Sequence, residues 1–177
     1  MVTGSSALNV HITTNSDSEA KTSSFLPVTQ PPTQVLGPIA SLSYVYSTLP
    51  SFTLTHNADL THHFNVASSG PPYLSFPAAG GSAFAYLNFE PNPEQEEGFW
   101  HRSQTVDYIV MLEGVLELSL DGGEKRVVRK GDMVVQRAAM HKWKNLSRTE
   151  GARYVAVLLG AEGAVEGGVE LGGDILK

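Results

Sequence analysis

The chain contains no cysteine, which excludes disulfides, thiolate metal ligation and a cysteine nucleophile. Any metal must therefore rest on histidine and carboxylate. Basic residues are also in deficit: 12 Lys and Arg against 18 Asp and Glu leave a formal charge of −6. Such a surface repels phosphate backbones, so no nucleic-acid partner is expected. No apolar run approaches membrane-spanning length, and the opening MVTGSSALNVHITTNS lacks the basic and apolar regions of a secretion signal. A cytoplasmic protein without membrane contact is expected. Repeats of about 20 to 50 residues, a glycine-rich phosphate loop and a G-x-S-x-G elbow are all missing, which gives NTP binding and serine hydrolysis little support.

What is present points to short elements and many turns. The 177 residues suit one domain, and 17 glycines with 10 prolines favour an all-β chain without long helices. Residues 1–35 read as an N-terminal arm, polar from Thr13 and then proline-rich, that either stays irregular, adds an edge strand or crosses to a partner subunit. Residues 36–162 read as the barrel, and 163–177 as a glycine-rich, acidic tail or final edge strand.

Within the barrel, IASLSYVYST (39–48) alternates polar and apolar residues as a half-buried strand does, and SFTLTH (51–56) is expected to continue it. AFAYLNF (83–89) is a second strand. After Trp100 strands come at regular short intervals: TVDYIVMLEG, VLELSL, KRVVR, MVVQR and RYVAVLLG, with turns at Asp121-Gly122-Gly123 and Lys130-Gly131-Asp132.

The region 98–145 resembles the paired motifs of the cupin superfamily. Those motifs run His-x-His, a short gap, Glu and then Gly; the second runs Gly-Asp, a strand, and Pro-x-Gly-x-x-His-x-x-x-Asn. Here the matching positions are His101, Ser103, Asp107 and Gly114, then Gly131, Asp132, His141 and Asn145. Three residues separate Ser103 from Asp107, six separate Asp107 from Gly114, and three separate His141 from Asn145. Ser103 stands for the second histidine, Asp107 for the glutamate, and Gln136 and Ala138 for the proline and glycine. The wider string is similar to small single-domain cupins of fungal and bacterial secondary metabolism. The resemblance implies a double-stranded β-helix, a jelly-roll barrel, pairing as a homodimer.

Strand parity places His101, Ser103, Asp107, Ile109 and Met111 on one inward face, and His141, Trp143 and Asn145 on another. Two imidazoles and a carboxylate can hold one divalent metal, Fe, Mn, Ni or Zn, with open positions for substrate. The alternative is metal-free: Asp107 orients a histidine, whose basicity it raises for acid–base work. His101, Asp107 and His141 are thus the candidate catalytic residues and the candidate metal ligands. Ser103, Met111, Arg137 and Trp143 are the candidate substrate contacts, Arg137 as a bidentate anchor for a carboxylate. Adjacent His62 and His63 are expected on opposite faces of a strand, with surface or loop roles.

Three functions follow from this pattern. One is a non-redox lyase or isomerase of secondary metabolism, decarboxylating or dehydrating an aromatic or polyketide-like substrate. Another is an iron-dependent dioxygenase, which requires all three residues to ligate tightly. The last is a binder of a small ligand without catalysis.

Overall fold

The computed structural model describes residues 8–16, 22–71 and 76–163. Among these, eleven strands and one helix follow the chain: β1 (Thr13–Asn15), β2 (Ser23–Phe25), β3 (Thr33–Leu36), β4 (Ala40–Thr48), α1 (Ala58–Ser68), β5 (Ser82–Phe89), β6 (Thr105–Glu113), β7 (Val115–Leu120), β8 (Lys125–Arg129), β9 (Met133–Arg137), β10 (His141–Asn145) and β11 (Ala152–Gly160).

Six strands in the order β3-β4-β5-β11-β6-β9 form one antiparallel sheet, and β10-β7-β8 form a second. The two make the jelly-roll β-barrel. Alternation explains the layering: along β6 residues 105, 107, 109 and 111 are buried while 108 and 112 are exposed, and along β11 every even-numbered residue from 152 to 158 is buried. These inward faces share one core, with Leu42, Tyr44, Ala85, Ile109, Met111, Ala156 and Leu158 opposed by Leu116, Leu118, Val128 and Trp143.

Turn chemistry closes the hairpins as the sequence implies. Gly123 (φ 89°) and Gly131 (φ 90°) adopt the left-handed backbone, and Asp132 accepts the Arg129 amide at 2.8 Å. Gly114 has φ 78°, and an added Cβ would lie 2.6 Å from Ala152. The tight turn between β6 and β7 therefore requires glycine on two counts.

Part of the arm adds an edge strand, since β3 pairs with β4, while β1 and β2 form their own small hairpin. The tail expected at 163–177 lies, after Gly163, outside the described residues. Two expectations are corrected. Residues 51–56 do not continue β4; they turn and enter a short 3-10 segment at Thr55–Asn57. His62 and His63 sit on α1 rather than on a strand, because Leu60, His63 and Ala67 recur at helical spacing and that face packs on β4. His63 is buried, stacked 4.6 Å from Tyr46 and hydrogen-bonded through Nδ1 to the Tyr44 hydroxyl at 3.2 Å. No helix among the described residues is long and apolar enough to cross a membrane.

Candidate active site

Between the sheets lies a cavity of about 80 Å³, several times the space one water needs. Its walls are aliphatic and aromatic, with Leu42, Phe76, Phe89, Phe99, Ile109, Trp143, Tyr154 and Leu158 among them. Four polar residues, His101, Ser103, Asp107 and His141, join them.

His101 and His141 face each other because the segment before β6 pairs with the first residue of β10: each backbone amide donates to the other's carbonyl at 2.9 Å. Their rings lie 4.1 Å apart, centroid to centroid, tilted by 51°. Gly98, three residues earlier, packs so closely on the Trp143 backbone that a side chain there would collide with its carbonyl.

Asp107 reaches the same cavity from β6. Its cross-strand neighbour in β9 is Gln136, and both point inward. The Gln136 amide nitrogen donates to the Ala139 carbonyl at 2.9 Å and lies 2.6 Å from His141 Nδ1. Nδ1 is also 2.9 Å from the Ala139 carbonyl, but one nitrogen cannot serve both contacts in one tautomer. With Gln136 donating, Nδ1 accepts and the His141 proton rests on Nε2. His101 Nδ1–H donates weakly to the Phe99 carbonyl at 3.4 Å, which leaves its Nε2 as an acceptor.

Burial sets the protonation states. It holds His141 well below the usual imidazole value, at about 3, with the neighbouring His101 adding to the effect. It lowers His101 too, against a small opposing effect of the Phe99 carbonyl. The Asp107 carboxyl is pushed up to about 6, again chiefly by desolvation, tempered by the hydroxyls of Thr105 and Ser103. The Thr105 hydroxyl donates to Ser103 Oγ at 2.7 Å, and Asp107 Oδ1 is left buried without a hydrogen-bond partner. Tyr154, raised by its own burial and by Asp107, completes the surroundings.

The structure brings together His101, Ser103, Asp107, His141 and Trp143 as the sequence suggests. Met111 is buried, but in the core rather than among the cavity-lining residues. Arg137 does not face in. On β9, Val134 and Gln136 turn inward while Met133, Val135 and Arg137 are exposed. Parity counted back from His141 fails because Ala138, at φ 49°, breaks the strand between them. Gln136, Thr105 and Tyr154 also border these residues; the sequence marked Gln136 only as the replacement for the motif's proline, and Thr105 and Tyr154 not at all. For Gln136 the signal was its place on the inward face, two residues from Val134. Asn145 is buried as structure: its amide nitrogen donates to the carbonyls of Glu90 and Glu150, each at 2.9 Å.

No family model matches the chain. Several fungal proteins are similar to it. The oryzines biosynthesis cluster protein J of Aspergillus oryzae is 38% identical over 131 residues, 74% of this chain and 69% of that protein. The phomopsin biosynthesis cluster protein C' of Diaporthe leptostromiformis is 36% identical, with 80% of this chain and 72% of that protein covered. A cupin-domain-containing oxidoreductase of Neurospora crassa is 32% identical, with 80% and 67% covered. The chain belongs to the cupin superfamily. Among solved structures, the Cnp3 cupin domain of Schizosaccharomyces pombe aligns with a TM-score of 0.47 at 13% identity, covering 86% of this chain and 83% of that domain.

A cupin barrel often carries a metal, and His101, Asp107 and His141 are the residues of this cupin that would hold it. Among the described residues no three His, Asp or Glu side chains gather as a ligand set. His141 Nδ1 is engaged by Gln136 and Ala139, which leaves only its Nε2 as a ligand atom, and Asp107 Oδ1 is a buried acceptor without a hydrogen-bond partner. As placed, His101, Asp107 and His141 do not gather into a three-ligand centre. What the cupin site does offer is a neutral donor, a neutral acceptor and a carboxyl of raised pKa within apolar walls.

Proposed function

We propose that this cupin is a small-molecule enzyme of secondary metabolism that moves protons, a lyase or isomerase acting on an apolar substrate in the barrel cavity. The observation that carries this reading is one apolar cavity holding two imidazoles driven toward neutrality and a carboxyl pushed up to about 6. General acid–base catalysis works best when the pKa lies near the operating pH. At neutral pH Asp107 is mostly the carboxylate, able to take a proton from carbon or hydroxyl and return it. His141 Nε2–H polarises a substrate oxygen as a neutral donor, and His101 Nε2 accepts a hydrogen bond from a substrate hydroxyl. The low-dielectric walls strengthen each of these interactions. The relatives named for biosynthesis clusters support the metabolic setting.

A second reading, an oxidoreductase, is favoured by the names of relatives in Neurospora crassa. The experiment that separates the two is solvent deuterium incorporation into small aromatic and cyclic ketones bearing α-hydrogens, followed by NMR with and without chelator. Proton-transfer chemistry predicts exchange that survives chelation and falls by about 10²-fold or more in His101→Ala, His141→Ala and Asp107→Asn. Turnover that requires added iron and consumes oxygen would replace it with the redox reading. Binding without turnover would leave a non-catalytic cupin.

A homodimer belongs to the same proposal. Tyr108 and its cross-strand partner Val135, with Met133, leave an exposed apolar face on β6 and the edge strand β9. Sedimentation at micromolar concentration should give twice the chain mass, and Val135→Lys should shift it toward monomer.

A further inference from the structure

The cavity of about 80 Å³ is smaller than the apolar cavity of about 150 Å³ that takes one benzene. A ring-sized substrate therefore requires a wall to move. Most of the wall is fixed, because β4, β5, β6, β10 and β11 supply most of the lining and each is held by a ladder of backbone hydrogen bonds. Of the lining residues Phe99 alone is exposed, at 37%, so the cavity meets solvent at its ring.

Phe99 belongs to the short segment from Glu97 to Trp100, whose two ends are anchored. At one end the buried Asn92 side chain accepts the Glu96 amide at 2.8 Å and donates to the carbonyls of Glu96 and Asn145 at 2.9 and 3.1 Å. At the other, His101 exchanges two backbone bonds with His141. Between these ends, among the described residues, none of the four makes a backbone-to-backbone hydrogen bond. Side chains fasten them instead. The Glu97 carboxylate bridges Lys142 at 2.7 Å and Lys144 at 2.6 Å, both on β10, and the Lys142 ammonium lies 4.9 Å from the centre of the Trp100 ring. Glu97 is half exposed, and ion pairs open to water are weak enough to exchange readily.

We propose that Glu97–Trp100 is the gate of the cavity. Phe99 is its moving face, the two ion pairs of Glu97 are its latch, and a ring-sized substrate enters when the latch releases and the segment swings off β10 between its anchors at Glu96 and His101. The anchors keep His101 and His141 in register while the gate moves. Although it rests on this cavity being the substrate site, the gate is tested without any substrate.

Acrylamide quenching of tryptophan fluorescence makes the test. The chain has two tryptophans, so Trp100→Phe, which keeps a ring beneath Lys142, leaves Trp143 as the single reporter, lining the cavity at 4% exposure. Adding Glu97→Gln to this background should raise the quenching rate constant about threefold or more, the effect of releasing two exposed ion pairs. Phe99→Ala should raise it likewise. Glu113→Gln breaks the exposed pair with Arg153 (3.0 Å) on the other sheet and should leave quenching unchanged, with circular dichroism verifying that each variant folds. Quenching that Glu97→Gln and Phe99→Ala do not alter overturns the gate, as does an equal rise in Glu113→Gln, which would mark a general loosening of the barrel. None of these results touches the acid–base reading, which stands or falls on deuterium exchange.

Discussion

At the residue scale, Gln136 decides what His141 can do. Its amide is 2.6 Å from His141 Nδ1 and is itself anchored by the Ala139 carbonyl at 2.9 Å. That grip selects the tautomer with Nε2–H, the one able to polarise a substrate oxygen. Gln136→Leu keeps the bulk and removes the amide, freeing Nδ1–H to donate to the Ala139 carbonyl. Turnover should fall about tenfold or more with little change in KM, since the fault lies in the proton's position. Nitrogen chemical shifts of His141 check the tautomer directly. An unchanged tautomer and rate would mean that Gln136 only fills space.

At the scale of elements, the segment joining β9 to β10 carries strain. Ala138 has φ 49°, a left-handed conformation that glycine adopts without penalty, and its amide donates to the Thr105 carbonyl at 3.0 Å, tying the turn to the site strand β6. Ala138→Gly should raise stability by about 0.5 to 1 kcal/mol in denaturant titration, the reverse of the usual penalty for glycine. A loss of stability would show that the turn tolerates alanine without strain.

The same segment shows how far strand patterns carried. The bounds of β8 and β9 were legible because KRVVR and MVVQR are β-branched runs between glycine turns, and the inward face of β6 was legible from parity alone. Arg137 was misplaced because parity does not pass through a left-handed residue. Helix α1 was hidden for another reason: the residue at the centre of its buried face is His63, whose partners Tyr44 and Tyr46 lie on a strand distant in sequence. Residue types and spacing also brought His101, Asp107 and His141 to one cavity, but the grip of Gln136 depends on a cross-strand register that only the folded sheet supplies.

For the molecule as a whole, burying titratable groups makes stability depend on pH. His141 has a folded value of about 3 against 6.5 in the open chain. Between those values the unfolded state takes up the proton, so this stabilisation is complete above 6.5 and drains away as pH falls toward 3. His101 and His63, both lowered by burial, act in the same sense. Asp107 opposes them, because a carboxyl raised from 3.8 to about 6 stabilises most below 3.8 and loses that contribution as pH rises through 6. Three histidines outweigh one aspartate, so the denaturation midpoint should be lower at pH 5 than at pH 7.5. His141→Gln should shrink the difference. A midpoint equal or higher at pH 5 would show that the histidines are hydrated in the folded barrel.

The most direct measurement is an NMR pH titration of protein labelled with ¹⁵N in histidine and ¹³C in aspartate. The acid–base reading requires His101 and His141 to stay neutral well below pH 6.5 while the Asp107 carboxyl titrates near 6. Imidazoles that protonate at ordinary values, together with an Asp107 that titrates near 3.8, would contradict it and return the cavity to a solvated pocket without tuned groups.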